Sequence, residues 1–343
     1  MSPPRILFIA DAGAEVGGGH VMRSLTLARA LVEQGAEVRF LASPQVQAVL
    51  DVFGPHIASA PSSSTAPADL VRAASETAFD AVVFDHYGLG EAEHVAIAAG
   101  RPSLAIDDLA DRRLGVDLVL DPGPARQGGD YAGLVGEAQL LLGPSYAPVR
   151  PEFATLRESA LARRQGPVRR LLVALGLTDV GGITARVVAR LLPIDPDLTI
   201  DVVVGGRPSS LPQLRAFAAQ HPNLQIHVDA RDMAELTARA DAAVGAAGST
   251  TWERCILGLP SILLVLAENQ RPAAQALAAS GAALVLDAAD PEFKAGLDAA
   301  ALSLLGDEAL RSRISAASAA LCDGLGAPRA AKAFLALIAA GHP

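Results

Sequence analysis

Ten short runs of aliphatic residues recur along this chain, separated by segments of helix length, and that alternation constrains its fold more than any other feature. Five lie at 5–10, 37–41, 80–84, 102–106 and 117–120, and five more at 171–175, 198–204, 224–228, 242–245 and 261–265. Strands alternating with helices predict parallel sheets, because parallel neighbours need a crossover long enough to hold a helix. The polar stretch Arg163-Arg164-Gln165-Gly166-Pro167 interrupts the pattern. It predicts a linker, and with it an α/β chain of two domains, 1–163 and 168–343. The segment 307–340 is alanine-rich and helical by propensity, with a break over 324–328.

Composition narrows the possible functions. A formal net charge of −9 argues against broad nucleic-acid binding, which needs clustered lysine and arginine facing phosphates. One small anionic ligand stays open, since a few local donors can hold it. No apolar run reaches the ~18–20 residues of a membrane span. The first residues lead into a strand-length run rather than a signal-peptide core, so a cytoplasmic protein without membrane attachment is expected. Cys255 and Cys322 stand far apart and outside any Cys-x-x-Cys pair, which suggests buried, inert thiols rather than a disulfide or zinc framework.

The first apolar run passes into Asp11-Ala12-Gly13-Ala14-Glu15-Val16-Gly17-Gly18-Gly19-His20-Val21-Met22-Arg23-Ser24, and residues 22–31 continue at helical spacing. Glycines free such a turn to take positive φ and bring backbone close to a ligand, while the helix start presents N–H groups and a positive dipole end. A dinucleotide fingerprint fits poorly, because the glycines end in Gly-Gly-Gly-His and Glu37 follows too early. A phosphate loop of the Gly-Lys-Ser/Thr type is excluded, since no lysine stands there. The bland alternative is a tight strand-to-helix connection with His20 as a capping or packing residue.

A second turn repeats this logic in the other half. Gly245-Ala246-Ala247-Gly248-Ser249-Thr250-Thr251-Trp252-Glu253-Arg254 opens another helix, with Gly248 freeing the backbone and hydroxyls at the helix start suited to a diphosphate. Glu253 is a candidate acceptor for ribose hydroxyls, although Thr250 with Glu253 also matches a capping box. Polar residues follow other runs at their carboxyl ends. Asp85-His86-Tyr87-Gly88 and Asp107-Asp108 do so in the first half, and Gly176-Leu177-Thr178-Asp179 and Glu268-Asn269-Gln270 in the second. Open α/β sheets bind ligands at those ends. Asp85, Asp107, Asp108 and Asp111 resemble a magnesium set, yet acids after parallel strands more often cap helices or bond a sugar, so no metal is expected.

With these residues in hand, the chain resembles the UDP-sugar hydrolases of pseudaminic acid biosynthesis, which remove UDP from UDP-2,4-diacetamido-2,4,6-trideoxy-β-L-altropyranose. The resemblance runs from Asp11 to about Gln270. It is carried by the Gly-Gly-His-Val-Met-Arg-Ser-Leu-Thr-Leu-Ala run ending at Ala28, by Asp85-His86-Tyr87-Gly88, and by Asp107-Asp108-Leu109-Ala110-Asp111. The stretch from Gly143 to Phe153, Gly248 to Glu253, and Asn269-Gln270 complete it.

It implies a GT-B fold, two Rossmann-like domains with a cleft between them, related to nucleotide-sugar glycosyltransferases. His20 matches the family's catalytic histidine. Gly248, Ser249, Thr250 and Glu253 would sit at UDP, and Gly18, Gly19, Arg23, Tyr87, Asn269 and Gln270 near the sugar or its phosphate. The family often has Gly-Gly-Thr-Asp where this chain has Gly176-Leu177-Thr178-Asp179, and the larger Leu177 puts close backbone approach there in question.

The implied partners are a UDP-sugar and water, with no cofactor and a monomeric protein, and the pathway implied leads to a nonulosonic acid on flagellin or other surface glycans. The helix dipole at His20 would favour the neutral ring as general base, and the turn at Ser249 would stabilise charge on leaving UDP. Attack by water at the anomeric carbon opposite UDP would invert that centre. A glycosyltransferase delivering the sugar to an acceptor hydroxyl is the rival reading, and a non-catalytic sugar-nucleotide sensor is another.

Overall fold

In the computed structural model, which describes residues 2–13, 16–206 and 208–341, the first apolar run forms β1 (Arg5–Ala10) at the middle of a sheet. The chain continues through α1 (Gly19–Glu33), β2 (Glu37–Ala42), α2 (Pro44–Phe53), β3 (Ala58–Pro61), α3 (Pro67–Ser75) and β4 (Ala81–Asp85). It goes on through α4 (Glu91–Ala98), β5 (Ser103–Ile106), β6 (Leu118–Asp121) and β7 (Gln139–Leu142). These seven strands pair in parallel in the order β3-β2-β1-β4-β5-β6-β7. Alternation along β1 assigns its two faces. Ile6 and Phe8 pack with Leu25, Ala28 and Leu31 of α1, whereas Leu7 and Ile9 pack with Leu70, Phe84 and Ile97 on the other side.

A second unit runs through α5 (Pro151–Leu161), β8 (Arg170–Ala174), α6 (Ile183–Leu191), β9 (Thr199–Val204), α7 (Leu211–Gln220), β10 (Leu224–Val228) and α8 (Met233–Arg239). β11 (Ala242–Ala246), α9 (Thr250–Ile256), β12 (Ser261–Val265), α10 (Arg271–Ala279), β13 (Leu284–Asp287), α11 (Phe293–Gly306) and α12 (Glu308–Leu321) complete it. Its six parallel strands take the order β10-β9-β8-β11-β12-β13. Val173, Val202, Val244 and Leu264 form its core with Val188 and Leu191 of α6 and Leu297 and Leu304 of α11. The last helix, α13 (Gly326–Ala340), belongs to the first unit, where Ala330, Ala331 and Phe334 pack in the cluster built on α1.

The units therefore comprise residues 1–149 with 325–343, and 150–324, which differs from the boundary expected at 163–168. Arg164 of that stretch, and Arg157 of α5 before it, run inward instead of into solvent. Arg157 donates to the carbonyls of Ile256, Ala319 and Cys322, and buried Arg164 donates to those of Leu257 and Ala240. These carbonyls lie at helix C-termini, where a cation is favoured, so the apparent linker is anchored in the second unit. Among the described residues no helix is long and apolar enough to cross a membrane.

Candidate functional site

The first candidate site lies in the first unit where the sheet order reverses. β1 leads through α1 to β2 on one side, and β4 leads through α4 to β5 on the other. Carboxyl ends at such a switch point leave room for a ligand. Within the glycine turn, Gly13 and Gly17 exchange backbone hydrogen bonds of 3.3 and 2.8 Å, and Gly17 takes a φ of +77° that glycine tolerates best. Gly18 is the N-cap of α1 and Gly19 its first residue, with no side chain capping the helix.

His20 is buried at the second position of α1, only 6% exposed. Its Nδ1 lies 3.0 Å from the backbone oxygen of Asp85 and 3.0 Å from Asp85 Oδ1. Both are acceptors, so the partners assign the proton of the neutral ring to Nδ1 and leave the lone pair on Nε2. The sequence indicated only a helix dipole acting on this ring; the structure adds a buried carboxylate against it. Tyr87 meets the ring edge-on at 4.4 Å between centroids and donates its hydroxyl to Asp108 Oδ1 at 2.7 Å.

Arg23 is buried and points its fork at two carboxylates. Nε and Nη2 reach Asp85 at 2.8 and 2.6 Å, and Nη1 reaches Asp108 at 2.6 Å. This arginine, expected near the sugar, is thus committed to holding the acids that flank His20. Burial pushes the Asp85 carboxyl up, but Arg23 and His20 hold it down at about 2. Asp108 is likewise lowered, with burial opposed by Arg23 and Tyr87.

The second histidine at this strand end has a different position. His86 Nδ1 accepts from the Gly88 N–H at 3.0 Å, and its Nε2 donates to the Thr65 carbonyl at 2.9 Å. Both nitrogens serve the local fold, which separates His86 from His20. The remaining acids are also engaged. Asp107 takes Arg112, the Ala110 N–H and the Tyr131 hydroxyl; Asp111 pairs with Arg112. Among the described residues no group of three or more His, Cys, Asp or Glu is placed to hold a metal ion.

The second candidate site lies in the second unit, also at a reversal of strand order, between β8 and β11. Ser249 occupies the N-cap position of α9 without a side-chain capping bond, and Thr250 is exposed at its first position. The capping box does not form. Glu253 is instead gripped by Arg150, whose Nε and Nη2 both lie 2.8 Å from Oε1. Thr251 turns inward, its Oγ1 3.4 Å from the Ala246 carbonyl.

Gln270 ends a short turn, Glu268–Gln270, after β12. Its Oε1 accepts from the Leu266 N–H at 3.0 Å, which leaves the amide nitrogen facing Gly248, where an added Cβ would lie 3.7 Å from Nε2. Asn269 is exposed on the same turn. Gly248 and Gln270 therefore meet, and the exposed Thr250 hydroxyl stands two residues on from Gly248.

The loop after β8 shows where close backbone approach is actually made. A Cβ on Gly205, just after β9, would lie 2.2 Å from the Leu177 carbonyl oxygen, so the close approach to this loop is made at residue 205, and Leu177 is accommodated. Asp179 beside it is buried at a φ of +47°, accepting from the N–H groups of Thr184 and Ser210 at 2.9 and 3.1 Å.

Comparison with known proteins matches this architecture. Residues 199–321 match the glycosyltransferase family 28 C-terminal domain. The chain is 24% identical over 280 residues to the UDP-2,4-diacetamido-2,4,6-trideoxy-beta-L-altropyranose hydrolase of Campylobacter jejuni, covering 81% of this chain and 97% of that protein. The crystal structure of MurG from Acinetobacter baumannii superposes with a TM-score of 0.69 at 17% identity, covering 97% of this chain and all (100%) of that one. CalG4, the calicheamicin glycosyltransferase, superposes with a TM-score of 0.65 at 18% identity over 100% of both chains. The fold is GT-B, two Rossmann-like units, and the resemblance seen in the motifs extends over most of the chain.

Proposed function

We propose that this protein is a nucleotide-sugar hydrolase that removes UDP from a UDP-2,4-diacetamido-2,4,6-trideoxy hexose, in pseudaminic acid biosynthesis. The observation that carries the reading is His20, buried, with Nδ1 against Asp85 and Nε2 left to accept a proton. The likeness to the Campylobacter jejuni hydrolase supports it.

In this mechanism His20 Nε2 takes a proton from a water as that water attacks the anomeric carbon. Asp85 keeps the ring in the tautomer that can do so and stabilises the imidazolium that forms. The anomeric carbon–oxygen bond breaks toward UDP, whose growing charge meets the donors at Gly248, Ser249, Thr250 and Gln270. Glu253 accepts from the ribose, and Gly18, Gly19, Tyr87 and Asn269 lie toward the sugar. Attack from the face opposite UDP inverts the anomeric centre. No step is routed through a metal; loss of activity in EDTA, restored by magnesium, overturns that part.

Incubation with the UDP-sugar in ¹⁸O-labelled water without an acceptor tests the whole reading. The expected result is free UDP and a free sugar carrying the label. Label in UDP means attack at phosphorus and removes this role from His20. Negligible release without acceptor favours a glycosyltransferase, the second reading, which the match of residues 199–321 to the glycosyltransferase family 28 C-terminal domain supports.

A further inference from the structure

Arg254 is 4% exposed and, among the described residues, forms no ion pair; the acid that acts on it is the adjacent Glu253, which is itself paired with Arg150. The other buried arginines are compensated in visible ways. Arg23 holds Asp85 and Asp108, and Arg164 lies on carbonyls at helix C-termini, where the dipole is negative. Arg254 has neither. It belongs to the second turn of α9 and reaches back toward the start of that helix, where the dipole is positive. Burial holds its guanidinium down at about 10, and a cation in such a place costs stability unless something compensates it.

Its contacts show where that charge is directed. Nη1 lies 3.2 Å from Thr250 Oγ1, and Nη2 donates to the Ala246 carbonyl at 2.7 Å and to Thr251 Oγ1 at 3.1 Å. A hydroxyl that accepts from a guanidinium turns its own proton elsewhere, and Thr250 is exposed. Space for the guanidinium is built in, since a Cβ on Gly245 would lie 2.5 Å from its central carbon. The small cavity beside it, about 10 Å³, is lined by Thr251, Cys255, Ser261 and Ser318 among others and by no acid.

We propose that Arg254 is a positioning residue for an anion at the β11–α9 turn, polarising the Thr250 hydroxyl into a strong outward donor and finding in the bound anion its missing counter-charge. The inference rests on the reading above, in which that anion is the diphosphate of UDP. The relay runs from Arg254 Nη1 to Thr250 Oγ1 to a phosphate oxygen.

Calorimetric titration of the whole protein with UDP, and with uridine as the uncharged control, tests it. Arg254→Met is expected to weaken UDP at least about tenfold while leaving uridine within about twofold, and Arg254→Lys to stay within about threefold of wild type for both. Thr250→Val, at an exposed position that does not threaten folding, is expected to show the same selective loss, and Thr250→Ser to restore it. Wild-type UDP affinity in Thr250→Val, or in folded Arg254→Met, overturns the proposal. Parallel loss of UDP and uridine in Arg254→Met and Arg254→Lys makes the arginine structural and overturns it as well. Failure of the wild type to bind UDP instead overturns the nucleotide reading on which it rests.

Discussion

Asp85 faces His20 with two oxygens at once, its backbone carbonyl and its carboxylate each 3.0 Å from Nδ1, while the same carboxylate takes the fork of Arg23. The charge of Asp85 therefore serves the Arg23 guanidinium and the Nδ1–H of His20, and its shape alone is not enough. Asp85→Asn keeps the volume but offers His20 an amide and leaves Arg23 underpaired. UDP release is expected to fall about 10²–10⁴-fold, similar to His20→Ala. Initial rates with the UDP-sugar check this, and an Asp85→Asn enzyme at wild-type rate would remove Asp85 from the mechanism.

Arg23 makes a separate prediction about stability. Arg23→Met leaves Asp85 and Asp108 in place without their cation, and breaking a buried pair from one side costs about 3–5 kcal/mol. The Asp85 carboxyl is depressed to about 2 by this environment, so its contribution is full above the unfolded carboxylate range and is lost as pH falls through about 2. The deficit of the variant should therefore be largest at neutral pH and shrink below about pH 4, where protonation relieves the orphaned acids. Urea unfolding across that range measures it; a deficit that does not change with pH contradicts the assignment.

The sequence reading located the parts better than their partners. Ten strands were legible because central parallel strands are apolar on both faces, as β1 and β4 are. Three were missed: β3, β7 and β13 lie at sheet edges, are four residues long, and have one fully buried residue between them, Leu141. His20 and the acids after β4 and β5 were visible as polar strand ends. That Asp85 is the acid against His20 depends on β4 pairing with β1, with Asp85 level with Ala10, and strand order is not written in local pattern. Arg23 read as a sugar contact and Arg164 as part of a linker because their destinations lie on other elements. The signal available for Arg254 was Gly245 nine positions earlier on a neighbouring strand, and it carries no meaning until the two are folded together.

Gly205 gives a prediction that distinguishes backbone approach from glycine content. An added Cβ meets the Leu177 carbonyl oxygen at 2.2 Å, and a main-chain atom cannot swing aside as a side chain can. Gly205→Ala is expected to destabilise the protein by about 1–3 kcal/mol through forced backbone displacement. Gly176→Ala is strained for a different reason, its φ of +108°, with nothing within 4 Å of the added carbon. Denaturant midpoints for the two variants check this, and a Gly205→Ala midpoint equal to wild type would show that the loop after β8 yields without cost.

His94 predicts acid sensitivity of a kind the acids beside His20 do not produce. It is buried on α4, tilted at 40° against Phe84 with 4.5 Å between ring centroids, and neither ring nitrogen has a hydrogen-bond partner. Burial, with Arg112 adding to it, pushes the imidazole down from 6.5 to about 4. Between those values the unfolded chain binds a proton that the folded chain refuses, so stability falls as pH drops from about 6.5 to about 4, by up to about 1.4 kcal/mol per unit. Above that window the ring is neutral in both states and contributes no slope. His94→Leu removes the titrating group and the unpaired nitrogens together. It is expected to match or exceed wild-type stability at pH 8 and to exceed it by more at pH 5. Equilibrium unfolding at the two pH values decides it, since an identical pH slope in wild type and variant would mean that His94 is not the group that titrates.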